Sequence, residues 1–196
     1  MEKGSHRRGA GHPIDALFLD RWSARAMSGA ALSTEELMLL FEAARWAPSS
    51  FNYQPWRMLF ARRDTPHWPL YLGLLSERSR SWAQHGAALV LFLSKLTRDD
   101  GSASVTHAFD TGAAWENFAL QATLRGLVVH GMQGFDYQRA RSELRIPADF
   151  QVNAMVVVGR PGDPQRLAED HRAREHPNDR RPLDQTVGEG LFGFKA

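Results

Sequence analysis

A helical repeat of apolar residues is clearest behind an S-x-x-E capping box that begins at Ser33. Leu37, Leu40 and Phe41 follow at spacings that place them on one helical face. Proline disfavours helical geometry in the residue before it, so Pro48 is predicted to end this helix. The pattern therefore predicts an amphipathic helix that packs one face on a core.

The rest of the chain divides into further helices and strands. Helices are predicted over residues 13–22 and 66–85, with a short one between the last two strands. The longest candidate, 107–126, is small and apolar nearly all round and ends at Gly126 as a C-terminal cap, which predicts burial or a subunit interface. The predicted strands are residues 56–63, 88–94, 127–132 and 152–160.

The order of these elements predicts the α+β class, with helices packed against a central sheet, because helices and strands do not alternate strictly. We expect a single domain over residues 13–196, since no internal repeat or second domain is visible. Residues 1–12 are predicted to be a disordered arm. Residues 161–196 are long for a loop and are expected to wrap over another surface.

Composition narrows the class of protein. Of the 196 residues, 43% are hydrophobic, which is enough for a core, and the longest strongly apolar run, 87–93, is too short to cross a membrane. The absence of cysteine excludes disulfides, thiolate metal sites and a cysteine nucleophile. No apolar segment near the N-terminus could act as a secretory signal, so a cytoplasmic protein is expected.

Charge is nearly balanced, with 24 basic and 22 acidic residues and a formal net charge of +2. The excess basic residues cluster near the N-terminus and within residues 160–181. Acidic residues interrupt the second cluster and no aromatic stacking platform accompanies it, which favours solvated arms over a nucleic-acid surface. For a few of these arginines, a role in holding a small phosphorylated ligand stays open.

Three familiar motifs find no support. Residues 188–193 spell G-x-G-x-x-G, but dinucleotide binding needs a helix after the glycines, and only three residues follow. His171 and His176 lie in a charged stretch at a spacing that suits neither helical nor strand ligation, which favours solvated side chains over a metal site. A G-x-S-x-G elbow does not occur.

Three short motifs carry candidate chemistry, and each also has an ordinary structural interpretation. Arg21 and Arg25 flank Ser23 past a predicted helix end, which suits a phosphate monoester, although surface arginine pairs are common. PSSFNYQP (48–55) offers amides and hydroxyls suited to the edge of a planar heterocycle, or equally to a helix cap and turn. HGMQGFD (130–136) puts two glycines after a strand, where backbone can approach a ligand or simply turn.

Together these motifs resemble the nitroreductase-like family of FMN-dependent oxidoreductases. The resemblance covers nearly all of the chain from about residue 14, with the landmarks RWSAR, LFEAARWAPSSFNYQPWR, DTGAAWENFALQATLRGL, HGMQGFD, VVVGRPGD and RRPLDQTV. It implies a central, mainly antiparallel sheet flanked by helices, in an interlocked homodimer with residues 161–196 draped over the partner subunit. It also implies FMN as cofactor, NADH or NADPH as co-substrate, and a flat small-molecule acceptor, such as a nitroaromatic or quinone, reduced in a ping-pong cycle.

The resemblance further implies which residues hold the FMN. Those implied at its phosphate are Arg21, Trp22, Ser23, Arg25 and Arg181, with Arg180 as a substitute. Those implied at the isoalloxazine or ribityl chain, some across the dimer interface, are Pro48, Ser49, Ser50, Asn52 and Gln54. Those implied at flavin N5 and over the ring face are Gly131, Met132, Gln133 and Gly134. No catalytic acid or base is expected, because the flavin carries the chemistry.

Departures from the family pattern leave other interpretations open. Asp179 stands where many relatives have lysine, Ser79 where close relatives often have asparagine, and Gly131 where they tend toward glutamine. We expect a lost polar contact at Ser79 and a more open ring face at Gly131. The alternatives are a flavoenzyme of the same fold with other chemistry, such as reductive dehalogenation or flavin reduction, and a flavin-binding protein without turnover.

Overall fold

The most apolar strand of the chain forms the centre of an antiparallel sheet. The computed structural model describes residues 2–194, and in it every residue of 88–94 is buried. The strands are β1 (Trp56–Arg62), β2 (Ala88–Lys95), β3 (Val128–Met132) and β4 (Phe150–Gly159). Their order is β1-β2-β4-β3, and each neighbouring pair is antiparallel. The four predicted strands and the α+β class are confirmed.

Helices cover both faces of the sheet. They are α1 (Ala16–Asp20), α2 (Thr34–Arg45), α3 (Trp68–Leu74), α4 (Glu77–Ala83), α5 (His107–Leu124), α6 (Tyr137–Glu143) and α7 (Glu169–Arg172). One core contains α2 and α5 against the sheet, and the other contains α3, α4 and α6. The capping box predicted at Ser33 is present in α2.

The predicted helix over residues 66–85 is wrong at its middle, where the chain breaks between α3 and α4. Leu75 is extended, with ψ of 143°, and the Ser76 side chain accepts a hydrogen bond from Ser79 N as the cap of α4. Ser76 N donates to Gly134 O at 2.9 Å. The break therefore joins this segment to the loop that follows β3.

Helix α5 ends as predicted but is not buried all round. Gly126 has φ of +67°, and Leu127 N donates to Ala122 O at 2.9 Å, which is the Schellman arrangement. Ala114 and Phe118 are fully buried against the sheet. On the other side Phe109 is 82% exposed, so within one chain the helix leaves an apolar face uncovered.

The described N-terminal residues, from residue 2 onward, contact the chain around α1. Residues Gly4–His6 form a short 3₁₀ turn, and Arg8 is buried. The Arg8 guanidinium donates to the carbonyl oxygens of Leu19 and Arg21, both at 2.8 Å, which fixes the arm on the chain around α1. Along residues 2–194, no helix combines the length and apolar character needed to cross a membrane.

Candidate functional site

Alternation along an extended segment places two arginines and a hydroxyl on the same side. After α1 the chain runs extended, and Trp22, Ala24 and Ala26 are buried while the residues between them are half-exposed. Successive side chains of an extended chain point to opposite sides. Arg21, Ser23 and Arg25 therefore share one side, and Arg21 Nη1 donates to Ser23 Oγ at 3.2 Å.

These residues line a cavity of about 510 Å³, here named the arginine cavity. Its walls are Arg21, Trp22, Ser23, Arg25, His130, Arg174, His176, Asn178 and Arg180. None of these described wall residues is an aspartate or glutamate. Four guanidinium groups with a hydroxyl and an amide make a donor set for a multiply charged oxyanion such as a phosphate monoester.

A buried glutamate fixes the tail beside the arginines and offsets only part of their charge. Glu175 Oε1 accepts from the backbone N–H of Arg25 at 2.8 Å and of Ala26 at 2.7 Å, and its side chain is only 3% exposed. Its Oε2 lies 4.0 Å from Arg25 Nη1. The carboxylate therefore binds mainly backbone amides, and its position brings Arg174 and Asn178 to the cavity wall.

Electrostatics favour an anion in the arginine cavity. Burial, as the largest cause, lowers the pKa values of Arg21 and Arg25. Arg180 lowers the pKa of Arg21 further, and Glu116 opposes this shift. Arginine stays protonated in proteins, so these shifts mean that the positive charges are held in an unfavourable setting. A bound anion would relieve that cost.

His130 stands among these arginines as a neutral ring. Burial, followed by the charge of Arg25, lowers its pKa to about 4. Its Nδ1 lies 3.1 Å from Ala24 O and donates to it, because a carbonyl oxygen can only accept. The ring packs against Trp82 at 4.6 Å between centroids. His130 therefore adds no positive charge to the cavity at neutral pH.

A second cavity of about 290 Å³, here named the glycine cavity, adjoins the first. Its walls are Arg25, Ser76, Arg78, Ser79, Trp82, His130, Gly131, Met132, Gln133, Gly134, His171 and Arg174. Arg25, His130 and Arg174 belong to both cavities. The two adjoining spaces are together named the crevice, with guanidinium groups at one end and the loop after β3 at the other.

The glycine cavity depends on close approach at Gly134. A Cβ atom placed there would lie 2.6 Å from Ser79 Oγ and 3.0 Å from Ser76 Oγ, so a larger residue would force these hydroxyls to move. No described residue accepts a hydrogen bond from the N–H of Gln133 or Gly134. These N–H groups are available to a ligand acceptor atom.

The loop over residues 48–54, here named the amide loop, does not line this crevice. Its groups bond among themselves: Gln54 N donates to Ser49 Oγ at 3.0 Å, and Gln54 Nε2 donates to Asn52 O at 2.9 Å. Ser50 N donates to Asp110 Oδ2 at 3.2 Å, which holds the loop at the start of α5. Phe51, Asn52 and Gln54 all have positive φ, a costly conformation for such residues, and Phe51 is 85% exposed.

The structure thus joins two of the three predicted motifs. Arg21 to Arg25 and Gly131 to Gly134 share the crevice, while Pro48, Ser49, Ser50, Asn52 and Gln54 lie outside it within one chain. Arg180 lines the arginine cavity, whereas Arg181 lines a separate groove with residues 8–12.

Other wall residues were not anticipated from the sequence. Arg174 and Asn178 lie in a segment without a readable period, and Arg78 lies on a predicted helix whose pattern does not mark it as a site residue. His171 corrects an earlier interpretation, because it is 5% exposed and not a solvated side chain. The short helix α7 turns it inward, and a helix of four residues is too short to produce a hydrophobic pattern.

Comparison with known proteins agrees with this geometry. The sequence model of the Nitroreductase family matches residues 19–71 and 73–160. A crystal structure of an oxidoreductase containing FMN is 40% identical and superposes with a TM-score of 0.94 over 100% of both chains. A nitroreductase family protein from Clostridium difficile 630 shares the fold, with 22% identity and a TM-score of 0.69 over 90% of this chain and 97% of its own. Protein DrgA of Synechocystis sp. is 27% identical over 66% of this chain and 74% of its own. The matched family model spans most of the sequence, and the chain belongs to the nitroreductase family.

Proposed function

We propose that this protein is an FMN-dependent oxidoreductase that uses NADH or NADPH to reduce a flat acceptor such as a nitroaromatic or a quinone. The observation that carries the proposal is the single crevice, with arginines at one end and Gly131–Gly134 at the other. It is supported by the 40% identical relative, which is an oxidoreductase containing FMN. When bound, FMN would supply the hydride chemistry at N5 of its ring.

The arginine cavity would hold the FMN phosphate. Arg21, Arg25 and Arg180 can each donate charge-assisted hydrogen bonds, and Ser23 adds a hydroxyl. A phosphate dianion would stabilise the buried guanidinium charges whose pKa values are lowered in the free protein.

The glycine cavity would hold the ring. The unbonded N–H groups of Gln133 and Gly134 can donate to a ring nitrogen or oxygen, and fixed backbone donors stabilise negative charge that develops during reduction. No acidic or basic side chain of the crevice is needed for hydride transfer itself.

We further propose a homodimer in which the amide loop of one protomer completes the crevice of the other. The loop's costly backbone conformation and exposed Phe51 serve no purpose within one chain. Phe109 and Val105 near the start of α5 are 82% and 83% exposed, which is typical of an apolar face that a partner covers. Leu183, Leu191 and Phe192 are also exposed, which suits a tail that lies on the partner subunit.

The test is the absorbance spectrum of the purified protein, followed by bleaching of its yellow band with NADH and NADPH. We expect bound FMN, anaerobic bleaching by at least one of the two, and turnover with nitrofurazone or a quinone. A colourless protein that takes up no added FMN would contradict the proposal. Faster turnover of a halogenated phenol than of either acceptor would instead favour dehalogenation.

The phosphate assignment can be tested by replacing Arg21 and Arg25 together with alanine. Each removes charge-assisted hydrogen bonds worth about 1.5–3 kcal/mol, so FMN affinity should fall at least about 100-fold. The fold should survive, because Glu175 binds the backbone of residue 25 and not mainly its side chain. Fluorescence titration of FMN measures the loss, and circular dichroism checks the fold.

A matched control replaces two exposed arginines outside the crevice, Arg139 and Arg166, with alanine. This control has the same change in net charge and should bind FMN as the unmodified protein does. Equal FMN affinity in the two double variants would refute the phosphate assignment.

A further inference from the structure

One buried histidine of the glycine cavity has no role in the proposal so far. His171 lies in α7, is 5% exposed and forms part of the cavity wall beside Gly131–Gly134. Its ring lies 6.5 Å from that of Trp82, at the edge. The side chain is therefore packed into the site and not turned to bulk solvent.

The two nitrogens of the ring have different surroundings. Nδ1 is shielded from solvent and has no hydrogen-bond partner, and its nearest carboxylate oxygen, Asp170 Oδ2, is 3.9 Å away. Nε2 also makes no hydrogen bond to a described residue, but unlike Nδ1 it is not shielded from solvent. Nε2 is therefore the nitrogen with access to the cavity. Burial of an unsatisfied ring nitrogen costs folding free energy, so packing alone does not account for a histidine here.

We propose that His171 donates a hydrogen bond from Nε2 to an oxygen of the electron acceptor and delivers the proton that the reduced acceptor takes up. The inference rests on the proposed function, because it concerns the same crevice. A quinone becomes a quinol by gaining a hydride, which comes from the reduced nicotinamide, and a proton. In this step the doubly protonated ring gives up its Nε2 proton: the Nε2–H bond breaks, its electron pair stays on the ring, which becomes neutral imidazole, and an O–H bond forms on the acceptor. Water at the cavity mouth returns a proton to Nε2.

Charged groups around the ring fix its position. Asp170 Oδ2 lies 3.6 Å from both Arg78 Nη2 and Arg174 Nη2, and both arginines line the glycine cavity. The carboxylate offsets part of this positive charge and lies on the Nδ1 side of His171. Arg25 faces the same cavity, while His130 is neutral there. With Asp170 on the Nδ1 side, Nε2 is the ring nitrogen left for a ligand.

The experiment compares two acceptors in steady-state assays with NADH. Menadione needs both electrons and protons, whereas ferricyanide takes electrons alone. In His171→Phe, kcat with menadione should fall about 100-fold, as expected for loss of a proton donor, while ferricyanide reduction stays within about twofold. His171→Gln keeps an N–H donor but cannot release its proton, so KM for menadione should be retained while kcat falls.

Fluorescence titration of FMN and the melting temperature are measured for the same variants, with exposed His85→Phe as the matched control. We expect unchanged FMN affinity, a melting temperature that is unchanged or higher in His171→Phe, and unmodified kinetics in the control. An equal loss with both acceptors, or weakened FMN binding without a change in the ratio of the two rates, would show a structural role and overturn the proposal. An unmodified protein that binds no FMN and reduces neither acceptor would remove the proposed function, and the role of His171 with it.

Discussion

The lowered pKa of His130 makes the free energy of unfolding depend on pH. Its pKa in the folded protein is about 4, below the ordinary value of 6.5, because burial and Arg25 disfavour the charged ring. In the unfolded chain it would take up a proton near pH 6.5. Between these values the unfolded state binds more protons, so this residue lowers stability as pH falls.

We expect the FMN-free protein to lose up to about 3 kcal/mol of unfolding free energy through His130 between pH 6.5 and 4. His130→Asn should flatten this dependence, because asparagine does not titrate and its amide can still donate to Ala24 O. Urea unfolding at pH 7, 5.5 and 4.5 measures the difference between the two proteins. Exposed His85→Asn serves as the control and should retain the unmodified slope. Parallel curves for His130→Asn and the unmodified protein would contradict the assignment.

The end of α5 depends on a backbone conformation that favours glycine. At Gly126, φ is +67° and an added Cβ would meet no atom within 4 Å, so a substitution there tests conformation without a clash. Gly126→Ala should destabilise the protein by about 1 kcal/mol, because the left-handed conformation is costly for other residues. Thermal or urea unfolding measures the change.

Gly73 in α3 provides the opposite case. It is helical, without positive φ, and an added Cβ also meets nothing within 4 Å. Gly73→Ala should stabilise by about 0.5–1 kcal/mol, since alanine is the better helix former. If both variants shift stability in the same direction, the explanation of the α5 terminus by backbone geometry fails.

Helix starts and ends whose sequence signals lie within a few residues were predicted correctly. The break that depends on a tertiary contact was not. The capping box at Ser33 and the glycine after α5 are local, and both are confirmed. The break between α3 and α4 is only partly local: Ser76 caps α4 within the segment, but its backbone N–H bonds to Gly134, which is distant in sequence. Secondary structure imposed by such tertiary contacts cannot be read from a local pattern.

The same division holds for the candidate site. The pair of arginines around Ser23 was predicted from the sequence, and in the structure Arg21, Ser23 and Arg25 line one cavity. Arg174 and Asn178 reach the cavity because Glu175 and Arg8 bind partners that are far away in the chain, and no periodicity marks them. We propose that the amide loop belongs to the crevice of a partner subunit, and a pattern within one chain gives no signal for such a contact.

The uncovered apolar face of α5 is the surface at which a substitution should dissociate the proposed dimer. We expect Phe109→Arg to shift the protein from dimer to monomer, because a charge at an 82% exposed phenylalanine would be buried unpaired in the interface. FMN occupancy should fall as well, since the partner's amide loop would be lost. Sedimentation velocity measures the assembly, and absorbance at 450 nm measures the flavin.

Gln138→Arg is the control, because it adds the same charge at an exposed position of α6. It should remain dimeric and yellow. A monomeric unmodified protein, or a Phe109→Arg variant that remains dimeric, would contradict the proposed interface.

The arginine cavity draws its walls from both ends of the polypeptide: Arg21 and Arg25 follow the first helix, whereas Arg174, Asn178 and Arg180 come after the last strand. Any molecule that fills it would contact both terminal segments and hold them together. In the empty cavity the positive charges of the two terminal segments would face one another and repel. These segments would therefore be the first parts of the chain to unfold. Cofactor loss would then expose arginine-rich sequence to trypsin-like proteases, and proteolytic turnover of the protein would depend on flavin supply.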